Sequence, residues 1–194
     1  GQSGAGKSTL LNILGGIDSL STGEVIVNGS PLSKMKENEL AEYRAKEIGF
    51  IFQFYNLIPT LTVYENVALM KDIKDDILNP ITILERVGLK NHVKKFPNQL
   101  SGGEQQRVSI ARAITKNPEI LLCDEPTGAL DSETGCKVLQ LIQDVCREFQ
   151  KTVIIVTHNS NIAKVADKVI RLKNGKILEI SLNDSPADIK EVEW

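Results

Sequence analysis

Three glycines within nine residues, closed by lysine and serine, constrain this chain more than any other feature: Gly1-Gln2-Ser3-Gly4-Ala5-Gly6-Lys7-Ser8-Thr9. Glycines at 1, 4 and 6 let the backbone enter conformations that a Cβ forbids, so successive N–H groups can converge on one anion. In a G-x-x-x-x-G-K-S pattern the lysine reaches the β and γ phosphates of a nucleotide, and the next hydroxyl ligates Mg²⁺. Thr9–Leu14 reads as a helix whose N-terminus adds partial positive charge beneath those phosphates. Gly1, Ser3, Gly4, Gly6, Lys7, Ser8 and Thr9 are therefore candidate nucleotide contacts, with Ser8 also a metal ligand. The plain alternative is a Gly/Ser loop that ends a strand, and Lys7 and Ser8 in register argue against it. A strand normally precedes such a loop. Here the sequence opens on the loop, which reads as a domain with its N-terminal strands missing.

The 194 residues suffice for one substantial core, with or without a small appended subdomain. A formal charge of −2 argues against a general electrostatic grip on nucleic acid. No apolar run approaches the roughly 20 residues that span a bilayer. Cys123, Cys136 and Cys146 lack metal-ligand spacing and read as reduced thiols.

Along the chain, Glu24–Gly29 reads as a short strand into a turn, 35–46 as a solvated helix and Ile48–Phe52 as a strand ending at Gln53. The Gln53 amide either caps that turn or reaches the crevice beyond the carboxyl ends of the strands, where α/β folds bind ligands. From 58 to 114 only helical patterns occur. Thr62–Glu65 is a capping box opening a helix through Met70, and 79–87 is a further helix. Glu119–Pro126 and Thr152–Thr157 are continuous apolar runs, expected as strands buried on both faces of a parallel sheet. A helix over 132–149 separates them, with Val138, Leu141, Ile142, Val145 and Phe149 inward. Val169–Glu179 folds about Asn174-Gly175 as a hairpin. The fold class is α/β, a doubly wound, mostly parallel sheet with an inserted helical subdomain. The expected division is 1–57 and 115–180 as core, 58–114 as helical subdomain, and 181–194 as a polar tail without assigned role.

Asp124 and Glu125 close a buried strand, where adjacent carboxylates are costly without a cation or a mobile proton. Asp124 is the candidate Mg²⁺ ligand, directly or through water, and Glu125 the general base. The alternative is a solvated pair at a strand exit. His158 ends the next strand, from which its imidazole can meet the γ-phosphate beside Glu125; His92, in a polar stretch, reads as structural. Ser101 and Glu104 form an ordinary capping box. Gly102 and Gly103 follow directly, where better helix formers would add stability, and their bare N–H groups at a helix N-terminus make an anion site. A second anion site in a chain that already has a phosphate loop is best used on the nucleotide of a partner subunit.

Taken in order, these motifs resemble the nucleotide-binding domain of ATP-binding cassette (ABC) transporters. The matching residues are the loop at 1–9, Gln53, the signature Leu100-Ser101-Gly102-Gly103-Glu104-Gln105-Gln106, Leu121–Thr127, the D-loop Gly128-Ala129-Leu130-Asp131, and His158. Phe96–Leu100 and Pro126–Asp131 look most like the MacB, LolD and FtsE branch. The resemblance implies a P-loop ATPase using ATP and Mg²⁺, with Glu125, His158 and Gln53 catalytic, and Ser8, Gln53 and Asp124 at the metal. It also implies a head-to-tail homodimer, or a pair with another ATPase subunit. Each ATP would lie between one phosphate loop and Ser101, Gly102, Gly103 and Asp131 of the other subunit. The implied membrane partner is a permease docking around Phe54–Pro59 at the cytoplasmic face of the cell membrane, for export of peptide, macrolide or lipoprotein-type substrates. The same six residues read alone as packing between core and helical subdomain. The family's adenine-stacking aromatic lies upstream of the phosphate loop and has no counterpart here. An ATP-switched regulatory module without transport is the alternative. A nucleic-acid maintenance ATPase fits the acidic balance poorly, and a small-molecule kinase leaves Ser101–Gln106 unexplained.

Overall fold

The computed structural model describes residues 4–192, so Gly1 and Ser3 of the phosphate loop lie outside the described residues. In chain order its elements are α1 (Lys7–Leu14), β1 (Ile26–Val27), β2 (Ser30–Pro31), α2 (Glu37–Glu47), β3 (Ile48–Phe52), α3 (Val63–Ala68), α4 (Pro80–Arg86), α5 (Gly102–Thr115), β4 (Ile120–Asp124), α6 (Ser132–Glu148), β5 (Thr152–Val156), β6 (Lys168–Lys173) and β7 (Lys176–Leu182). Short 3₁₀ turns punctuate these, at Ser160–Val165 and Ile189–Glu191 among others. Between β3 and β4 the regular elements are all helical.

β3, β4 and β5 pair in parallel in that order, and the register aligns Phe52, Asp124 and Val156 in one row at their carboxyl ends. Alternation along these strands sends side chains to two cores. Ile51, Leu121 and Cys123 pack with residues of α3 to α6, including Val67, Leu84, Ile110 and Ile142. Ile48 and Leu122, with Phe50 and Ile154 partly buried, face Leu11 of α1 and Tyr43 of α2. Helices on both faces are what keep a parallel sheet dry. β4, the middle strand, is fully buried at Leu121, Leu122 and Cys123. β5 departs from its expected double burial: among the described residues it is a sheet edge, and Val153 to Val156 are only half-buried.

Other departures are local. The strand expected over 24–29 contributes two residues to a hairpin turning at Asn28 and Gly29, both with positive φ. β7 runs to Leu182, so the expected tail begins two residues late. Beyond it the chain folds back: Asn183 and Ala187 bond the backbone of Asp167 and Lys164, and Ile189 and Val192 are buried against Leu139, Ile162 and Val165.

Two lysines tie the helical segment to the end of α2. Lys116 Nζ donates to Arg44 O at 2.7 Å, and Lys74 Nζ donates to Asn117 O at 3.0 Å and Lys46 O at 3.3 Å. Burial, with Lys74 adding repulsion, pushes the Lys116 amine from 10.5 down to about 8. Its folded-state value is thus below its unfolded one, so between pH 8 and about 10 the unfolded chain holds the extra proton. Stability from this group therefore rises with pH across that window. Lys116→Met is expected to flatten the rise in melting temperature between pH 8 and about 10. Parallel profiles for the two proteins would rule the effect out.

Candidate functional site

The carboxyl ends of β3, β4 and β5 and the N-terminus of α1 enclose an open pocket of about 470 Å³. Gly4, Ala5, Gly6, Lys7, Ser8, Thr9, Gln53, Asp124, Glu125 and His158 line it, so residues from four separate stretches of the chain meet there. Gly4 and Gly6 have φ of 77° and 90°, in the left-handed region where a Cβ is strained, and Gly6 caps α1. The first turn of α1 thus directs backbone N–H groups into the pocket with no side-chain cap competing for them.

Asp124 and Glu125, adjacent in sequence, separate in role because the chain turns between them. Asp124 is the last residue of β4, and its Oδ1 accepts from Ser8 Oγ at 3.2 Å. Glu125 leaves the strand with φ of 47°, a strained value for a residue with a side chain. Its backbone N–H donates to Val156 O at 3.0 Å, which holds the turn against β5. Both carboxylate oxygens are engaged by the segment after β5: Oε2 accepts from Thr157 Oγ1 at 3.1 Å, and Oε1 lies 3.0 Å from His158 Nδ1. The Glu125 side chain is 19% exposed and the His158 side chain 69%, so the carboxylate is held while the ring reaches into solvent. Backbone strain at a carboxylate held by two polar partners is a pattern of functional sites.

Gln53 follows β3 and packs on Gly128, where an added Cβ would sit 2.9 Å from its Nε2. The amide therefore bears on the turn after Glu125 as well as on the pocket.

Ser101, Gly102, Gly103 and Asp131 are absent from the lining of this pocket. Ser101 is the N-cap of α5: its Oγ accepts from Glu104 N at 3.3 Å, and its own N–H donates to Glu104 Oε2 at 2.7 Å. The Ser101 backbone bond, with His92 and Lys95 nearby, holds the Glu104 carboxyl below its ordinary range. His92 Nε2 lies 3.1 Å from Glu104 Oε1, a structural contact as expected of it. Asp131 caps α6, accepting from Thr134 N at 2.9 Å, and that bond lowers its pKa. Gly102 and Gly103 have a packing reason that the sequence did not disclose. A Cβ on Gly102 would meet Tyr55 Oη at 2.8 Å, and one on Gly103 would meet Thr134 Cγ2 at 2.4 Å.

Two residues of α5 have contacts that the sequence reading missed, Gln106 having been named only as the end of the signature and Arg112 not at all. Gln106, fully buried, donates from Nε2 to Pro126 O at 2.7 Å and Phe52 O at 3.3 Å. Arg112 donates to Asn56 O at 2.7 Å and Tyr55 O at 3.1 Å, and burial lowers its pKa. Tyr55 and Asn56 both have positive φ, so Arg112 supports a strained turn. An arginine that bonds backbone carbonyls from the last turn of a helix gives no motif to find.

A second groove, about 460 Å³, runs beside that turn between Phe54–Leu57, Pro59, Pro97, Asn98 and Gln105. Leu57 packs onto the core, whereas Phe54 is 73% exposed on the groove. Of the two readings of Phe54–Pro59, packing thus accounts for Leu57 and leaves Phe54 largely exposed.

Comparison with known proteins agrees with this geometry. Residues 1–128 match the family described as ABC transporter. The chain is 47% identical over 197 residues to the putative ABC transporter ATP-binding protein MG065 of Mycoplasma genitalium, covering all of this chain and 42% of that protein. It therefore spans less than half the length of that relative. Identity to the lipoprotein-releasing system ATP-binding protein LolD of Bacteroides fragilis is 44%, over 92% of this chain and 85% of LolD. Among solved structures, the dimeric ATP-binding cassette MJ0796 in a post-hydrolysis state with ADP and Pi superimposes with a TM-score of 0.82 at 41% identity, covering 93% of this chain and 82% of that one.

Proposed function

The chain belongs to the ABC transporter family, among its ATP-binding proteins, and from that membership we propose that it binds and hydrolyses ATP as one of two subunits driving a membrane permease. The observation that carries this is the convergence of Gly4–Thr9, Gln53, Asp124, Glu125 and His158 on one pocket. The phosphates rest on the N–H groups at the start of α1, with Lys7 at the β and γ positions. Ser8 and Asp124 present a hydroxyl and a carboxylate side by side, with the Gln53 amide on the same pocket. That set of hard oxygen donors suits Mg²⁺, which takes few protein ligands and completes its shell with phosphates and water. When bound, the ion would neutralise charge developing on the transferred phosphoryl group.

Glu125 is the general base. Water attacks the γ-phosphorus, the bond to the β–γ bridging oxygen breaks, and the water proton passes to a Glu125 oxygen. Thr157 holds one of its oxygens. His158, on the other, has the exposure to turn toward the γ-phosphate and release that oxygen to water.

The subunits close head-to-tail as a homodimer, Ser101–Gly103 and Asp131 of each facing the phosphates held by the other. The dimeric, ADP- and Pi-bound state of the similar MJ0796 cassette supports this arrangement. In this reading 1–57 and 115–180 form the ATPase lobe and 58–114 the lobe that carries the partner's anion site. Among the described residues no helix is long and apolar enough to cross a membrane. The permease docks from the membrane onto the groove at Phe54–Pro59, at its cytoplasmic face. Similarity to LolD supports export or release of a lipoprotein-type cargo.

A mixing experiment tests the composite site in the full-length protein. Lys7→Ala and Ser101→Arg chains are each expected to be inactive alone. Mixed, they form heterodimers with one intact site, and ATPase activity should return. Mixtures as inactive as their parts, or a fully active Ser101→Arg homodimer, would defeat the head-to-tail arrangement.

A further inference from the structure

One helix grips the backbone on both sides of Gln53 and just after Glu125, the two residues on which hydrolysis rests. Gln106 Nε2 bonds the carbonyl of Phe52, the residue before Gln53, and the carbonyl of Pro126, the residue after Glu125. Arg112, further along α5, bonds the carbonyls of Tyr55 and Asn56 on the far side of Gln53. The turn bearing Gln53 is thus pinned at both ends to α5, and one carboxamide spans it and the turn bearing Glu125.

The buried amide is not an ordinary helix residue. Gln106 is fully buried, and among the described residues its Oε1 is buried without a hydrogen-bond partner. An unsatisfied buried acceptor is costly, and an apolar side chain of similar shape would avoid it. What an apolar side chain would not do is donate to Phe52 and Pro126 together. The two N–H groups therefore account for an amide at this position. Gln106 also sits four residues, one helical turn or about 6 Å, from Gly102 at the start of α5. A displacement of the N-terminus of α5 reaches Gln106 through a single rigid turn.

We propose that Gln106 is a positioning residue for ATP hydrolysis, fixing Gln53 and Glu125 relative to each other and to the N-terminus of α5. This rests on the ATPase reading above. Docking of the partner's nucleotide against Ser101–Gly103 then sets the placement of the chain's own Gln53 and Glu125. Small displacements at reacting groups are enough to matter, since about 1 Å can cost a hundredfold in rate.

The test compares steady-state ATPase kinetics of the full-length wild type, Gln106→Met, Gln106→Glu, Ile114→Ala and Glu125→Gln, each normalised to bound fluorescent nucleotide. Gln106→Met removes both donors, and Gln106→Glu keeps the shape while exchanging donors for acceptors. Ile114 is buried in the same helix, eight residues beyond Gln106, and its side chain has no hydrogen-bonding group, so Ile114→Ala reports general loosening of α5. The expected result is a fall in kcat of about fivefold or more in both Gln106 variants, with KM for ATP within about twofold. At the same time Ile114→Ala should keep kcat within about twofold despite a lower melting temperature. A smaller fall in kcat in either folded Gln106 variant, or an equal fall in Ile114→Ala, overturns the positioning role. Failure of both Gln106 variants to fold assigns the residue to stability alone and overturns it as well. Absence of ATP turnover in the folded wild type would instead overturn the ATPase reading itself, and turnover in Glu125→Gln equal to wild type would remove Glu125 as the base, so these failures are distinguishable from that of the positioning role.

Discussion

Glu125→Gln is expected to lower ATP turnover by about 10²–10⁴-fold, the usual contribution of a positioned general base, while nucleotide binding survives. The substitution keeps the shape of the side chain. An amide can still meet Thr157 Oγ1 and His158 Nδ1, which contact the two carboxylate oxygens at 3.1 and 3.0 Å. What it cannot do is accept the proton of the attacking water. With hydrolysis blocked and both anion sites intact, the protein should accumulate as an ATP-bound dimer, visible by sedimentation only when ATP is present. Near-normal turnover would remove Glu125 from the role of base, whatever its strained backbone suggests.

Lys7→Ala is expected to weaken ATP affinity by about 10- to 100-fold, the scale of one charge-assisted hydrogen bond. Isothermal titration with a slowly hydrolysed ATP analogue would measure it. The backbone donors of Gly4, Gly6 and the first turn of α1 remain in this variant, so binding should weaken and not vanish. Affinity for ADP should fall less, because Lys7 is assigned to the β and γ phosphates together. Equal affinity for ATP in wild type and variant would dissociate Lys7 from the γ-phosphate.

The parts of this site that were legible in the sequence are those whose chemistry dictates residue type. A backbone that wraps phosphate needs glycine, and a buried strand tolerates a carboxylate pair only where charge is handled, so Gly4, Gly6, Asp124 and Glu125 announced themselves. The carboxyl ends of β3 and β4 were equally plain, because their apolar runs stop at a polar residue. The contacts of Gln106 and Arg112 were hidden for the opposite reason. Their partners are carbonyls, which every residue carries, and those carbonyls lie 54 and 20 residues from Gln106. Nothing local distinguishes a buried glutamine on a helix from a solvated one. β5 misled in another way: its composition is that of an interior strand, but burial depends on what lies alongside, and among the described residues only β4 does. The tail read as polar because Ile189 and Val192 are isolated among charges, yet two well-placed apolar residues were enough to dock it.

The crowding around Gly103 bears on how genetic variation in this chain should be interpreted. Its nearest obstacle is a methyl group of Thr134 in the same subunit, 2.4 Å from where a Cβ would stand. Any substitution there must first displace Thr134, the residue whose N–H completes the Asp131 cap of α6. An inactive allele at position 103 therefore does not by itself diagnose a lost contact between subunits, because the damage can begin within one chain. Second-site suppressors at position 134 are the genetic signature of that internal clash, and their absence would point back to the neighbouring subunit.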